Sequence, residues 1–366
     1  MDKYERERYQ KKKERALRRR KRQQRQLIIM ISIVLLLVLI LILLLVLRKK
    51  KVFAREESQY LAEIPVYYSL IDAREVSKDE VGAAIQGYYD RQFYSRFKVG
   101  GAYLTDQNDN VLYEKDAHAR IYPASTTKLM TTVLALERTS DLDALITVKE
   151  LYGCYDDPES MLLYLEEGDQ ISMRDLLYAL LTESYNDCAC AIAMEVAGSI
   201  EAFADLMNQR AAELGMNDTH YMNPHGLYDP DHYTSAYDLN RLVRKVYTLD
   251  VFRELEQTYS RTITIYRWGE PMELTIDNSS FFLNGDYAVP GLKFEGGKTG
   301  YIDESLSSYG SVFTGNGNTY YCAILHSVDG PYMTNLLLDY ILAPDAMKEL
   351  LEMDPYLALW YENYDY

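Results

Sequence analysis

The sequence predicts an α+β domain, one antiparallel sheet covered by helices, preceded by a single N-terminal membrane-spanning helix. Three observations lead there. Strand-like patterns occur at both ends of the globular part, from Lys98 and again after about Tyr259. The stretch between them has the apolar periodicity of helices. Ahead of everything lies Leu27–Leu47, a run of 21 residues whose only polar member is Ser32.

That run is long enough to cross a bilayer as a helix. It exceeds the apolar core of a cleaved signal peptide, has no small-residue cleavage pattern nearby, and is closed by Arg48-Lys49-Lys50-Lys51. An uncleaved anchor is therefore expected over 27–47. Residues 1–26 form a basic tail with 13 Lys or Arg against 4 acidic residues. The positive-inside rule then puts this tail in the cytoplasm and everything beyond Arg55 outside. Membrane lipid is the expected partner of this end of the chain. Residues 56–366 carry 21 basic and 51 acidic residues, a net of −30. A domain this acidic excludes nucleic acid as a partner bound through its phosphates.

Residues 48–95 read as a stalk, with a capping box at Ser77 and Glu80 starting a short helix. From Lys98 two strand-like runs flank the polar turn Asp106–Asn110, a hairpin signal. A helix starts at Ser125, its buried face drawn by Leu129, Met130, Val133, Leu134 and Leu136. Further helices are expected over Ser172–Ser184, Asn186–Gly198, Ser199–Gly215 and from Thr234. Then come the strands "RTITIYRW" and "PMELTIDN", the Lys298 region, and a hairpin turning at Asn316-Gly317. A last helix runs from about Tyr332 to Leu342. The globular domain is assigned to 96–345, and 346–366 to an acidic, tyrosine-rich tail. Of the four cysteines, Cys188 and Cys190 lie two apart in a helix and are not expected to pair with each other. An exported domain could pair the cysteines, but small buried hydrophobes are the preferred reading for all four, Cys154 and Cys322 included. No Cys or His spacing suggests a metal site.

The chemistry sits in short motifs. In "IYPASTTKLMTT", Ser125 and Lys128 are three residues apart and share a helical face close to the core. A lysine held there tends to lose its proton, and a neutral lysine beside a serine is a base beside a nucleophile. Taken alone, the same pattern suits a helix N-cap serine followed by a surface lysine. Three other stretches weigh against that: Ser184-Tyr185-Asn186, Asn223–Leu227 ("NPHGL"), and Lys298-Thr299-Gly300 after Glu295-Gly296-Gly297. Ser-x-x-Lys, Ser-x-Asn and Lys-Thr-Gly in that order form the motif set of the serine penicillin-recognising enzymes.

The stretches "PASTTKLMT", "LGMNDTHYMNPHGLYDPDHYTSAYDL" and "GGKTGYIDE" together resemble the D-alanyl-D-alanine carboxypeptidase family, the low-molecular-weight penicillin-binding proteins, over roughly Lys98–Val328. The resemblance implies the penicillin-recognising serine-enzyme fold. It implies an enzyme that trims the terminal D-alanine from peptidoglycan stem peptides through an acyl-enzyme. It also implies β-lactam antibiotics as covalent inhibitors, and no cofactor or metal. Acyl transfer needs a nucleophile, a base, an oxyanion site and a grip on the leaving group. Ser125 fits the nucleophile and Lys128 the base, with Lys298 as the second positive charge that keeps Lys128 neutral. Ser184 suits a proton relay to the departing nitrogen. Asn186 suits holding Lys128 or the substrate amide. Lys298 and Thr299, with Gly300 and Tyr301 beside them, suit the substrate and its terminal carboxylate. By analogy the backbone N–H groups of Ser125 and Tyr301 form the oxyanion hole. His225 of "NPHGL" is expected to order its loop, because the lysine already fills the role of base.

The chain departs from the family pattern at three places: Ile302 stands where relatives usually carry Thr or Ser, no arginine follows Arg267, and Tyr185 replaces a smaller residue. These bear on substrate preference more than on reaction type. A β-lactamase is one rival reading, with Glu213 of "ELGMN" as its water-activating carboxylate. A catalytically silent wall-binding scaffold is another.

Overall fold

In the computed structural model, residue 94 and residues 96–151 and 160–342 are described. The expected anchor, the stalk apart from Tyr94, the Ser77 cap and the C-terminal tail lie outside the described residues. The chain divides into Met1–Glu80 and Val81–Tyr366, and all that follows concerns the second unit. Among the described residues, no helix is long and apolar enough to cross a membrane.

Strands β1 (Val99–Asp106) and β2 (Val111–Lys115) form the expected first hairpin. A 3₁₀ turn, Ala124–Thr127, leads into α1 (Lys128–Arg138). Short strands β3 (Leu145–Thr147) and β4 (Gln170–Ser172) precede four helices: α2 (Met173–Thr182), α3 (Asn186–Ala197), α4 (Ile200–Glu213) and α5 (Ala236–Tyr247). A short α6 (Asp250–Glu256) leads to β5 (Ser260–Arg267) and β6 (Glu270–Asp277). Last come β7 (Lys293–Ile302), β8 (Leu306–Gly315), β9 (Asn318–Ser327) and α7 (Gly330–Leu342).

The helix starts follow from their sequence. Ser172, Ser199 and Ser235 each accept a hydrogen bond from the backbone N–H three residues on, at 3.1, 3.1 and 3.2 Å. Each such cap is worth about 1 kcal/mol. Gly198 ends α3 at φ +82°, the left-handed conformation that glycine adopts freely.

The strands form two sheets where one was expected. Order β2-β1-β9-β8-β7 makes a five-stranded antiparallel sheet, and β3-β4-β5-β6 a separate four-stranded one. Alternation marks "RTITIYRW" and "PMELTIDN" as strands but does not name their partners. Their apolar residues Ile263, Ile265 and Ile276 pack into the helical core, and a single register pair, Gln170 with Tyr266, ties them to β4.

Both faces of the larger sheet are covered. On β9, Ala323 and Leu325 enter the core shared with α1 and α5, whereas Cys322 and Ile324 enter a second core closed by Leu337 and Leu338 of α7. This is the period of two expected of a strand. Leu129, Met130, Val133 and Leu134 of α1 are at most 1% exposed. Burying side chains of this kind stabilises by about 1.5–3 kcal/mol each before entropy is counted. The helix that follows Ser125 is thus the central rod of the domain, and β7 stands beside its first turn.

The cysteines correct one expectation. Cys188 and Cys322 are free and buried, as small hydrophobes should be. Cys190 is disulfide-bonded, with a partner outside the described residues. Side-chain size cannot tell a buried thiol from half of a disulfide; that depends on what the fold brings alongside.

Candidate active site

Ser125 lies in the 3₁₀ turn and Lys128 begins α1, so the two share one tight bend rather than a regular helical turn. The helix expected from Ser125 therefore starts three residues later. The bend is strained. Ala124 is fully buried with φ +51°, a conformation that costs a residue with a side chain on the order of 1–3 kcal/mol. Its surroundings hold it. Thr126 Oγ1 donates to the Pro123 carbonyl at 2.7 Å. Thr127 Oγ1 accepts from His232 Nε2 at 2.9 Å, because His232 Nδ1 is taken up accepting the Met222 N–H. Gly226 of "NPHGL" lies flat against the turn: a Cβ there would come 1.9 Å from the Ala124 carbonyl oxygen. On the other side a Cβ at Gly300 would come 2.7 Å from the Ser125 nitrogen.

Lys128 is completely buried. Its Nζ is 2.7 Å from Ser125 Oγ, 2.7 Å from Asn186 Oδ1 and 2.8 Å from the His225 carbonyl oxygen. Burial pulls its pKa well below the ordinary lysine value, and the charge of Lys298 pulls it further. A neutral amine has two N–H bonds and one lone pair. Asn186 Oδ1 and the His225 carbonyl only accept, so they take the two N–H bonds. The lone pair is left for the Ser125 hydroxyl.

Asn186 is fixed in turn by donating to Ser160 Oγ at 3.0 Å. The neighbouring Asp187 holds the segment after Ser160, accepting from Leu163 N and Leu165 N at 3.0 Å each. The His225 ring orders its own loop, its Nδ1 accepting the Leu227 N–H at 3.2 Å. Burial and the nearby Lys128 keep that ring neutral.

Ser184 is not in a helix: α2 ends at Thr182, and Ser184 sits at φ +63° in the link to α3. Its hydroxyl makes no hydrogen bond to another described residue. Lys298 is 3% exposed, and its Nζ donates to the Thr299 carbonyl at 3.0 Å. Burial pulls Lys298 down to about 8, against the opposing charges of Glu256 and Glu183. Tyr301 is 61% exposed and its hydroxyl donates to Asp303. The structure thus joins Ser125, Lys128 and Asn186 by direct contact and sets Gly300 against them. Lys298 acts on Lys128 through its charge alone. Ser160, Asp187 and Glu256 were not singled out from sequence. Asp187 directly follows the Ser-x-Asn motif, which was a usable signal; a lone Ser or Glu in an acidic chain carries none.

Glu213 ends α4 on the surface, where it accepts from Gln209 and Arg210 and touches none of these residues. Among the described residues, no three His, Cys, Asp or Glu side chains are grouped to hold a metal ion.

This architecture is that of the penicillin-recognising serine peptidases. The crystal structure of the Streptomyces K15 DD-transpeptidase superposes with a TM-score of 0.61 at 26% identity, over 67% of this chain and 97% of that one. Residues 95–318 match the D-alanyl-D-alanine carboxypeptidase family, peptidase S11, and the chain belongs to that family. Among curated relatives, D-alanyl-D-alanine carboxypeptidase DacF of Bacillus subtilis is 29% identical over 201 residues, 53% of this chain and 48% of the relative. DacD of Escherichia coli is 38% identical over 152 residues, 39% of this chain and 38% of the relative. The matched part spans about half the length of these relatives or less.

Proposed function

We propose that this protein is a serine-type D-alanyl-D-alanine carboxypeptidase that removes the terminal D-alanine from peptidoglycan stem peptides. The observation that carries this reading is the Lys128 amine, buried and 2.7 Å from Ser125 Oγ, with both of its N–H bonds already claimed. Ser125 Oγ attacks the carbonyl of the penultimate D-alanine as its proton passes to Lys128. The oxyanion is met by the backbone N–H groups of Ser125 and Tyr301. Collapse expels the terminal D-alanine, whose nitrogen takes a proton through Ser184. Water then attacks the acyl-Ser125 ester with Lys128 again as base, restoring the enzyme. Lys298 and the Thr299 hydroxyl bind the terminal carboxylate, beside Gly300 and Tyr301. The reaction requires no cofactor. β-Lactams enter the same site and acylate the same serine. In this reading the run 27–47 anchors the chain in the membrane lipid, with the basic tail in the cytoplasm and the catalytic domain outside, where the wall is.

The test is incubation with fluorescent penicillin followed by mass spectrometry. The expected result is a long-lived adduct on the peptide containing Ser125. Rapid turnover of the antibiotic would identify a lactamase instead, and no adduct a silent scaffold.

A further inference from the structure

Lys298 borders a cavity of about 60 Å³. Gly297, Lys298 and Thr299 of β7 form one wall, Glu256 at the end of α6 another, and Asn278 and Ser279 a third. Glu256 and Lys298, each 3% exposed, share it with the buried phenol of Tyr309. No direct ion pair joins them. Glu256 is held in place: the Gly297 N–H donates to its Oε2 at 3.1 Å. The approach of α6 to β7 is close enough that a Cβ at Gly296 would meet Glu256 Cγ at 3.0 Å.

A carboxyl group buried this deeply and bonded to a single N–H is costly to keep charged, and neither acylation nor deacylation calls on it. Its neighbour explains its presence. We propose that Glu256 is a positioning residue for carboxylate recognition, acting across the cavity to hold Lys298 in its cationic form. The inference rests on the reading of Lys298 as the partner of the substrate carboxylate.

The charges around the pair fix the direction of the effect. Burial pushes Glu256 up to about 8, opposed by the Gly297 N–H and Lys298. Burial pulls Lys298 down to about 8, opposed first by Glu256 and then by Glu183, which follows α2. Lys128 on α1 faces Lys298 as a like charge when protonated. The hydroxyls of Tyr178 and Tyr309, which also feel Glu256, are kept neutral by burial. Once Glu256 is ionised, its carboxylate favours the proton on Lys298. A lysine beside an anion stays cationic to higher pH than one beside a neutral group. The alkaline limb of activity on a carboxylate substrate is then the loss of the Lys298 proton, delayed by Glu256.

The experiment measures kcat/KM against pH for a D-Ala-D-Ala peptide and for its C-terminal amide, in the wild type, Glu256→Gln, Glu256→Asp and Lys298→Ala. Glutamine keeps the shape and still accepts the Gly297 N–H, but carries no charge. Its alkaline limb on the carboxylate peptide should move about one unit lower, mostly through KM, with no shift for the amide. Aspartate should restore part of the shift. An unmoved limb in a Glu256→Gln enzyme that still takes up one equivalent of penicillin overturns the proposal and leaves the reading of Lys298 intact. Lys298→Ala that still prefers the carboxylate peptide to the amide overturns that reading and the inference together. Should Glu256→Gln not fold, the wild type decides by NMR: a Lys298 signal that does not move when Glu256 ionises overturns the proposal.

Discussion

A lysine amine offers a lone pair only after it has lost its proton, and at position 128 two fixed acceptors decide where that lone pair points. Among the described residues in contact with its Nζ, Ser125 is the group left to receive it. Ser125→Ala should therefore abolish penicillin acylation and D-alanine release while the fold stays intact, as read by labelling and by an unchanged unfolding temperature. Normal labelling of that variant would identify another nucleophile. The second lysine gives a subtler test. Lys128 is pulled down first by burial and then by the charge of Lys298. Removing that charge lets the Lys128 pKa rise, so more of it is protonated at a given pH. Lys298→Gln should shift the acidic limb of the acylation profile to higher pH, whereas Lys298→Arg should hold its position, with a loss of rate from altered geometry. A limb that stays put in the glutamine variant would confine Lys298 to substrate binding. At this scale the sequence was legible wherever residues act as adjacent chemical groups: Ser125, Lys128 and Asn186 could be named because their motifs are short. Glu256 could not, because it meets Lys298 across 42 positions of chain with no local pattern to flag it.

Elements put these residues within reach of one another, and two of them do most of that placing. The "NPHGL" loop presses Gly226, at φ +93°, onto the Ala124 carbonyl. Gly226→Ala would need both a strained backbone and a displaced turn at Ala124 and Ser125. Acylation should fall by about a hundredfold or more, in line with the sensitivity of catalysis to ångström-scale misplacement. Acylation within a few-fold of wild type would mean that the turn tolerates the shift. The rod α1 carries the other half of the geometry. Leu134→Ala leaves a hole in a core where that side chain is 1% exposed, and should destabilise the domain by about 2–5 kcal/mol in denaturant titration. A smaller change would show that the surrounding helices collapse into the space. Helix bodies and caps were readable because periodicity and Ser172, Ser199 and Ser235 are local signals. The 3₁₀ turn at Ser125 and the left-handed Ser184 were not, since each depends on what packs against it.

For the whole molecule, the sequence supplied the α+β class and the family resemblance, and the family match bears the resemblance out. It did not supply the division into two sheets, because strand patterns say which residues alternate and not which strands pair. Nor did it reveal the bond at Cys190. The excess of Lys and Arg before Leu27 predicts a topology that the described residues do not reach, with the basic tail inside and residues 56–366 outside. Protease added to intact cells should remove everything beyond about Arg55 and spare the tail. A mature chain lacking residues 1–50 in the medium would mean a cleaved signal instead.

Activation of Ser125 turns on the protonation state of Lys128 in the free enzyme, and NMR titration of its side chain, assigned with Lys128→Arg, measures that state directly. The expected result is a Lys128 signal already in the neutral-amine range at pH 7, with its transition well below the ordinary lysine value of about 10.4. A signal that remains that of an ammonium up to about pH 10 would rule out Lys128 as the base, because no lone pair would then be available to Ser125.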